Sequence, residues 1–171
     1  MPCCARSSSR RLVRKELLPW IGFAIRLLAA AIWLVAGVAK LADLDSFRVE
    51  VGAYDILPAN LVDPVAYALP FVEIVIGLYL AGGLFVRQAA AVGTGLMMIF
   101  LAAQAQAWAR GISLECGCFG GLTKETVGLG SILRDVALAL PNVILLIRPA
   151  RHLSLDKRFL HQVDRFAVQA P

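Results

Sequence analysis

Charge is scarce in this chain. Only 17% of its 171 residues are charged, 17 Lys+Arg against 12 Asp+Glu, while 59% are hydrophobic and the mean hydropathy is +0.73. Soluble domains hold roughly 45–50% apolar residues, so a water-soluble fold is excluded. Histidine is nearly absent: His152 and His161 lie in the carboxyl-terminal tail, where they read as part of a solvated basic segment and carry no assigned role. The sequence has no internal repeat, no low-complexity segment and no convincing signal-peptide cleavage site, and the first apolar stretch is too long for a signal-peptide core. It reads as a retained membrane span. The formal net charge of +5 would suit nucleic acid, but the basic residues sit in the tails and beside the apolar stretches. Membrane topology accounts for them, and nucleic acid is excluded as a partner.

What is abundant is long apolar sequence. A helix crosses the hydrocarbon core with about 20 mostly apolar residues. Four such stretches run over Leu18–Ala42, Pro64–Phe85, Gln88–Ala109 and Val127–Ile147. They are too long for tilted barrel strands, and a helix satisfies its own backbone in lipid, so the expected fold is an all-α bundle of four transmembrane helices. Residues 18–147 form this domain, between basic tails at 1–17 and 148–171.

Orientation follows from lysine and arginine outside the spans. Arg6, Arg10, Arg11, Arg14, Lys15, Arg87, Arg148, Arg151, Lys157, Arg158 and Arg165 fall on one side; Arg48, Arg110 and Lys124 fall on the other. The positive-inside rule places both termini in the cytoplasm of a cell-membrane protein. The first loop, with Asp43, Asp45, Glu50, Asp55 and Asp63, then faces outward together with the loop that holds Cys116 and Cys118.

Cys116 and Cys118 flank a single glycine, Gly117, just after the third span. Glycine lets the backbone turn tightly enough to bring the two alpha carbons within the roughly 4.4–6.8 Å that a disulfide needs. Exposed and strained disulfides tend to be exchangeable, whereas structural ones usually close longer loops, so thiol–disulfide exchange is the favoured reading. Two others stay open: a static clip, or reduced thiols packed at the helix ends. Glu115 disfavours a thiolate and Lys40 favours one. Two thiolates would also suit copper(I), but no histidine on this side completes a set, and no metal is assigned. Cys3 and Cys4, on the reducing cytoplasmic side, are incidental.

Ionisable residues inside the spans are the second signal, since each costs on the order of 2.5–3.5 kcal/mol on insertion scales unless paired or hydrated. Arg26, Glu73, Arg134 and Asp135 all fall near mid-depth, where they can meet. Arg26, Trp33, Gly37 and Lys40 share a stripe of the first span, Glu73 and Gly77 share one on the second, and Ser131, Asp135 and Asn142 share one on the fourth. These stripes are expected to face the bundle interior. Arg134 and Asp135 are adjacent, point in different directions and are not expected to pair. Lys40 is placed either to face inward or to snorkel to the outer interface. The group is either an ion-pair network that fixes helix packing or a polar cavity, shaped by Arg26, Lys40, Glu73 and Asp135, for a quinone headgroup or a proton relay. Pro70 and Pro141 are expected to kink their helices.

Arg26, Gly37-x-x-Lys40, Tyr54-x-x-Leu57-Pro58, Leu69-Pro70-x-x-Glu73-x-x-x-Gly77 and Gly111 followed by Glu115-Cys116-Gly117-Cys118-Phe119-Gly120 resemble the MauE branch of the DoxX-like membrane proteins, over roughly residues 20–147. The resemblance implies a four-helix membrane protein linked to redox maturation of extracytoplasmic proteins, of the methylamine dehydrogenase maturation type. It carries the type of function and not the client. The wider group is associated with quinone-linked and thiol-redox complexes. The plan is also similar in outline to the DsbB and vitamin K epoxide reductase families, but their second outward cysteine pair has no counterpart here.

The leading expectation is therefore a thiol–disulfide accessory protein. Cys116 and Cys118 would be the redox pair, exchanging with a thioredoxin-like or client protein outside the cytoplasm, and quinone would be the candidate cofactor. The alternative is a non-catalytic membrane subunit or chaperone, in a homo- or hetero-oligomer, with a structural Cys116–Cys118 disulfide. A permease ranks last, because four short helices would have to oligomerise to enclose a path.

Overall fold

The computed structural model describes residues 5–111 and 128–149, with side chains from residue 19 onward. Every regular element among them is a helix: α1 (Ala5–Ala42), α2 (Leu44–Ala53), α3 (Ala59–Gly82), α4 (Val86–Ala109) and α5 (Leu129–Ile147). Pro19–Ala42 of α1, together with α3, α4 and α5, are long and apolar enough to cross a membrane, which makes this a multi-pass membrane protein.

Two details differ from the sequence expectation. The first loop contains α2, which starts because the Asp43 side chain accepts a hydrogen bond from the Ser46 amide at 3.3 Å and so caps the new helix. The second span begins at Ala59 instead of Pro64. The extended Pro58 marks the start of α3, and Pro64 is taken up inside it. At the other end of α3, Gly83 adopts the left-handed conformation (φ 68°), and the Leu84 amide reaches back to the Tyr79 carbonyl at 3.0 Å. The chain then turns through Phe85 (φ 46°) into α4, so α3 and α4 are antiparallel neighbours.

Burial is inverted relative to a soluble protein. Phe71, Leu78, Met98, Ile99, Leu133 and Leu140 are more than half exposed, whereas Arg26, Lys40, Glu73, Gln104, Asp135 and Asn142 are each at most 1% exposed. In lipid this costs nothing on the outside, because acyl chains are as apolar as leucine and packing has to come from close fit. That fit is tightest between α1 and α3, the most extensive helix pair, followed by α4 with α5. A β-carbon on Gly37 would lie 2.9 Å from the Pro70 carbonyl oxygen, and one on Gly77 would lie 2.7 Å from Leu34 Cγ and 3.1 Å from the Ala30 carbonyl oxygen. At Gly37 the two backbones approach too closely for any side chain, and at Gly77 an added β-carbon would run into Leu34. On α4, Gly93 makes room for Trp33 and Asn142.

Gly37→Ala and Gly77→Ala should each destabilise the protein in detergent by about 1–3 kcal/mol through overpacking. Gly95→Ala, which enters open space, should leave the melting temperature unchanged or raise it. Melting curves for the first two that overlay the parent would show that the α1–α3 approach does not limit stability.

Candidate functional site

The stripe Arg26, Trp33, Gly37 and Lys40 faces the interior, as do Glu73, Gly77, Ser131, Asp135 and Asn142. Lys40 does not snorkel. Its Nζ donates to Glu73 Oε1 at 2.8 Å and Oε2 at 2.9 Å, with both side chains 1% exposed. Helix geometry explains the meeting. The Gly37 contact with Pro70 and Ile74 sets the register, leaving Lys40 about one turn beyond the level of Glu73. Side chains lean toward the start of their own helix, and because α1 and α3 are antiparallel, Lys40 and Glu73 lean toward each other. The ammonium also lies 5.5 Å from the Phe47 ring centre and 5.6 Å from that of Phe100.

On the α4–α5 side, Gln104 donates to Asp135 at 2.5 Å and Arg134 Nε donates to Asp135 at 3.0 Å. The expectation that Arg134 and Asp135 would not pair is thus overturned. Adjacent residues diverge at their β-carbons, but an arginine side chain is long enough to curl back, and Arg134 stays 26% exposed as it does so. Glu73 and Asp135 line one cavity of about 20 Å³, closed by Trp33, Met97, Phe100 and Leu138. That volume is enough for one water molecule. One layer deeper, Trp33 Nε1 donates to Asn142 Oδ1 at 3.0 Å.

Arg26 stands apart. It lies on the same stripe of α1, about four turns, or roughly 21 Å, from Lys40. It leans toward the start of α1, with its guanidinium 5.1 Å from the Phe23 ring centre. The mid-depth meeting expected of Arg26 with Glu73 and Asp135 does not occur, because the α1–α3 register puts Arg26 level with the α3–α4 turn.

Beyond Phe100, a chamber of about 310 Å³ opens between α2, α3 and α4. Phe47, Glu50 and Val51 of α2, with Tyr54 at its end, form one wall, Val65 and Leu69 of α3 another, and Leu96, Ile99, Phe100, Ala103 and Gln104 of α4 the third. Phe100 belongs to both cavities, and Gln104 connects the chamber to Asp135. Two exposed ion pairs flank this region: Arg48 of α2 chelates Asp63 with two hydrogen bonds, and Arg110 reaches Asp55, just after α2, at 3.3 Å. Hydrogen bonding to Asp63 holds the Arg48 guanidinium above its ordinary pKa. Sequence reading had no role for Phe47, Glu50, Tyr54, Phe100 or Gln104. The Phe47, Glu50, Val51, Tyr54 spacing of an amphipathic helix was the available signal for the α2 wall.

Cys116 and Cys118, with Glu115 and Gly117, lie outside the described residues, as do Cys3, Cys4, His152 and His161. The described chain stops before them at Gly111 and resumes at Gly128, next to the ends of α4 and α5 nearest Gln104 and Asp135.

Removing one partner of a buried ion pair strands the other charge, so Lys40→Met or Glu73→Gln alone should destabilise the bundle by about 3–5 kcal/mol. Lys40→Met combined with Glu73→Leu should recover most of that loss in the same thermal assay. Strictly additive losses would show that the two charges are not coupled.

The family model described as methylamine utilisation protein MauE matches residues 18–148. Among individual proteins, the chain is similar to methylamine utilization protein MauE of Paracoccus denitrificans, 30% identical over 121 residues, covering 70% of this chain and 65% of that protein. It is also similar to methylamine utilization protein MauE of Methylophilus methylotrophus, 32% identical over 123 residues, covering 71% and 65%. The matched part of the chain thus spans about 65% of the length of these relatives. No solved structure matches it. With the family model covering most of the sequence, including every helix of the polar core, the chain belongs to the MauE family.

Proposed function

We propose that this membrane protein, which is similar to proteins named for methylamine utilization, serves the maturation of a redox protein outside the cytoplasm, with Cys116 and Cys118 as a thiol–disulfide exchange pair. In this reading both termini are cytoplasmic, the cysteine segment faces outward, and the partner is a thioredoxin-like protein or the client itself. The disulfide accepts two electrons from a partner dithiol, which becomes a disulfide as Cys116 and Cys118 become thiols. Reoxidation then needs a lipid-soluble two-electron, two-proton acceptor, for which a quinone of the bilayer is the proposed cofactor. The placement within the wider DoxX-like group belongs to the same proposal.

The observation that carries it is the position of the polar core. Lys40, Glu73, Gln104 and Asp135, all at most 1% exposed, cluster toward the end of the bundle from which residues 112–127 depart. A core that only fixed helix packing would not need to gather there. The residues around it suit a quinone in size: the 310 Å³ chamber admits a ring, while the 20 Å³ cavity between Glu73 and Asp135 admits only water. Lys40, Glu73 and Asp135 would form the polar backing of that chamber. Arg26, on its own level, would serve the opposite end of the bundle.

A membrane-impermeant thiol reagent, applied to native membranes poised in glutathione buffers, tests this in a Cys3→Ser, Cys4→Ser background. Labelling of Cys116 and Cys118 from outside, with reversible oxidation at a potential well above roughly −300 mV, is the expected result. Cys116→Ser and Cys118→Ser should each abolish client maturation. A bond that resists reduction, thiols that never oxidise, or serine variants that mature the client normally would make the chain a non-catalytic membrane subunit instead.

A further inference from the structure

The chamber between α2, α3 and α4 is larger than helix packing requires, and its shape and lining define what could occupy it. At about 310 Å³ it falls in the range of ligand sites and far above a one-water void. Its walls are almost wholly apolar, with the side chains of Phe47 and Phe100 among them, and three polar residues interrupt them: Glu50, Tyr54 and Gln104. Its rim includes Ile99, which is 66% exposed on a membrane-spanning helix, and Ile56, which is 46% exposed just before α3. Ile99 lies on the lipid-facing surface of α4, so the chamber borders the bilayer there. Gln104, 1% exposed, forms part of its inner wall.

We propose that this chamber is a binding site for the uncharged ring of a lipid-soluble molecule bearing a carbonyl or hydroxyl group, entering laterally between α3 and α4 with its apolar tail left in the membrane. A charged ligand would lose its hydration against apolar walls, and a bare acyl chain would use neither the aromatic side chains nor the amide, phenol and carboxylate among them. A ring carrying an oxygen matches both parts of the lining. It would pack against Phe47 and Phe100, on which the buried Lys40 ammonium also rests, with a carbonyl oxygen accepting from Gln104 or Tyr54, or a hydroxyl donating to Glu50. Gln104 would join the bound oxygen to Asp135 and hence to the water-sized cavity beside Glu73. This deepens the quinone part of the proposed function and rests on it for its biological meaning, but binding itself does not require the cysteines.

The test uses the full chain in lipid nanodiscs and saturable binding of a radiolabelled decyl-tailed benzoquinone. The parent should bind one equivalent. Ala103→Trp, which fills the chamber, should weaken binding at least tenfold, and the smaller change Leu96→Phe should weaken it severalfold even if the first variant folds poorly. Ile144→Trp, on the lipid-facing surface of α5, should bind like the parent, and decanol should not displace the probe. The Cys116→Ser, Cys118→Ser variant should also bind normally, which separates this site from the thiol chemistry. No saturable binding, parent-like affinity in both filled variants, or equal displacement by decanol would overturn the site. Reversible thiol titration could still stand after such a result, so the two readings fail separately.

Discussion

Two opposite charges buried in a lipid-facing bundle must find each other, and the Lys40–Glu73 contact is the constraint on which the rest of this structure depends. Each charge alone would cost several kcal/mol inside the membrane. Together they can stay there only if α1 and α3 come close enough, in the right register, for a lysine to reach a glutamate on the neighbouring helix. Gly37 and Gly77 provide both conditions, because they allow close contact at two points along the pair, on the α3 backbone at Gly37 and on the Leu34 side chain at Gly77, and so fix its sliding position. The ion pair therefore does more than neutralise. It rewards one register of α1 on α3 and penalises the others, which is how a buried polar pair specifies structure where the hydrophobic effect between helices is absent.

From that fixed pair the remaining polar contacts follow in layers. Glu73 faces Asp135 across a space for one water, Asp135 accepts from Gln104 and Arg134, and Gln104 forms part of the chamber wall. Two carboxylates on opposite sides of a small cavity would repel if left bare, and here each has its own cation, Lys40 on one side and Arg134 on the other. The group is thus close to neutral as a whole while keeping polar atoms in a line from α3 to α4. Trp33 and Asn142 close the layer beneath it, and Gly93 leaves the space they need.

Much of this was legible in the sequence because the bilayer allows so few solutions. Four apolar stretches could only be helices, and the stripe through Arg26, Trp33 and Gly37 was expected to face inward, with Lys40 at its end either inward or snorkelling to the interface. The sequence could not show the register between helices, on which every pairing depends. Arg26 and Glu73 looked equally deep when each was measured from its own helix end, yet the Gly37 and Gly77 contacts place them on different levels. The Arg134–Asp135 contact was missed because β-carbon directions say little about where a long side chain ends. The chamber was missed for a further reason. Its volume is a property of three helices that diverge, and Phe100 and Ala103 look like any other residues of an apolar span.

Helix α2 connects these elements. Its apolar face covers the chamber, but the ion pairs on and just after it, Arg48–Asp63 and Arg110–Asp55, lie in the open, where water and salt screen them and where they add little to stability. What holds α2 down is therefore its packing on α3, with Phe47 buried, and the apolar face it turns toward α4 is uncovered wherever the chamber is open. An occupant that fills the space contributes the missing apolar contact and, by linkage, stabilises the seated helix to the extent that it binds. The Arg110–Asp55 pair joins the segment after α2 to the end of α4, immediately before the stretch that carries Cys116 and Cys118. Filling the chamber thus acts on α2 and, through Asp55, on the last residues of α4, so the seating of α2 and the end of α4 are parts of one short piece of structure.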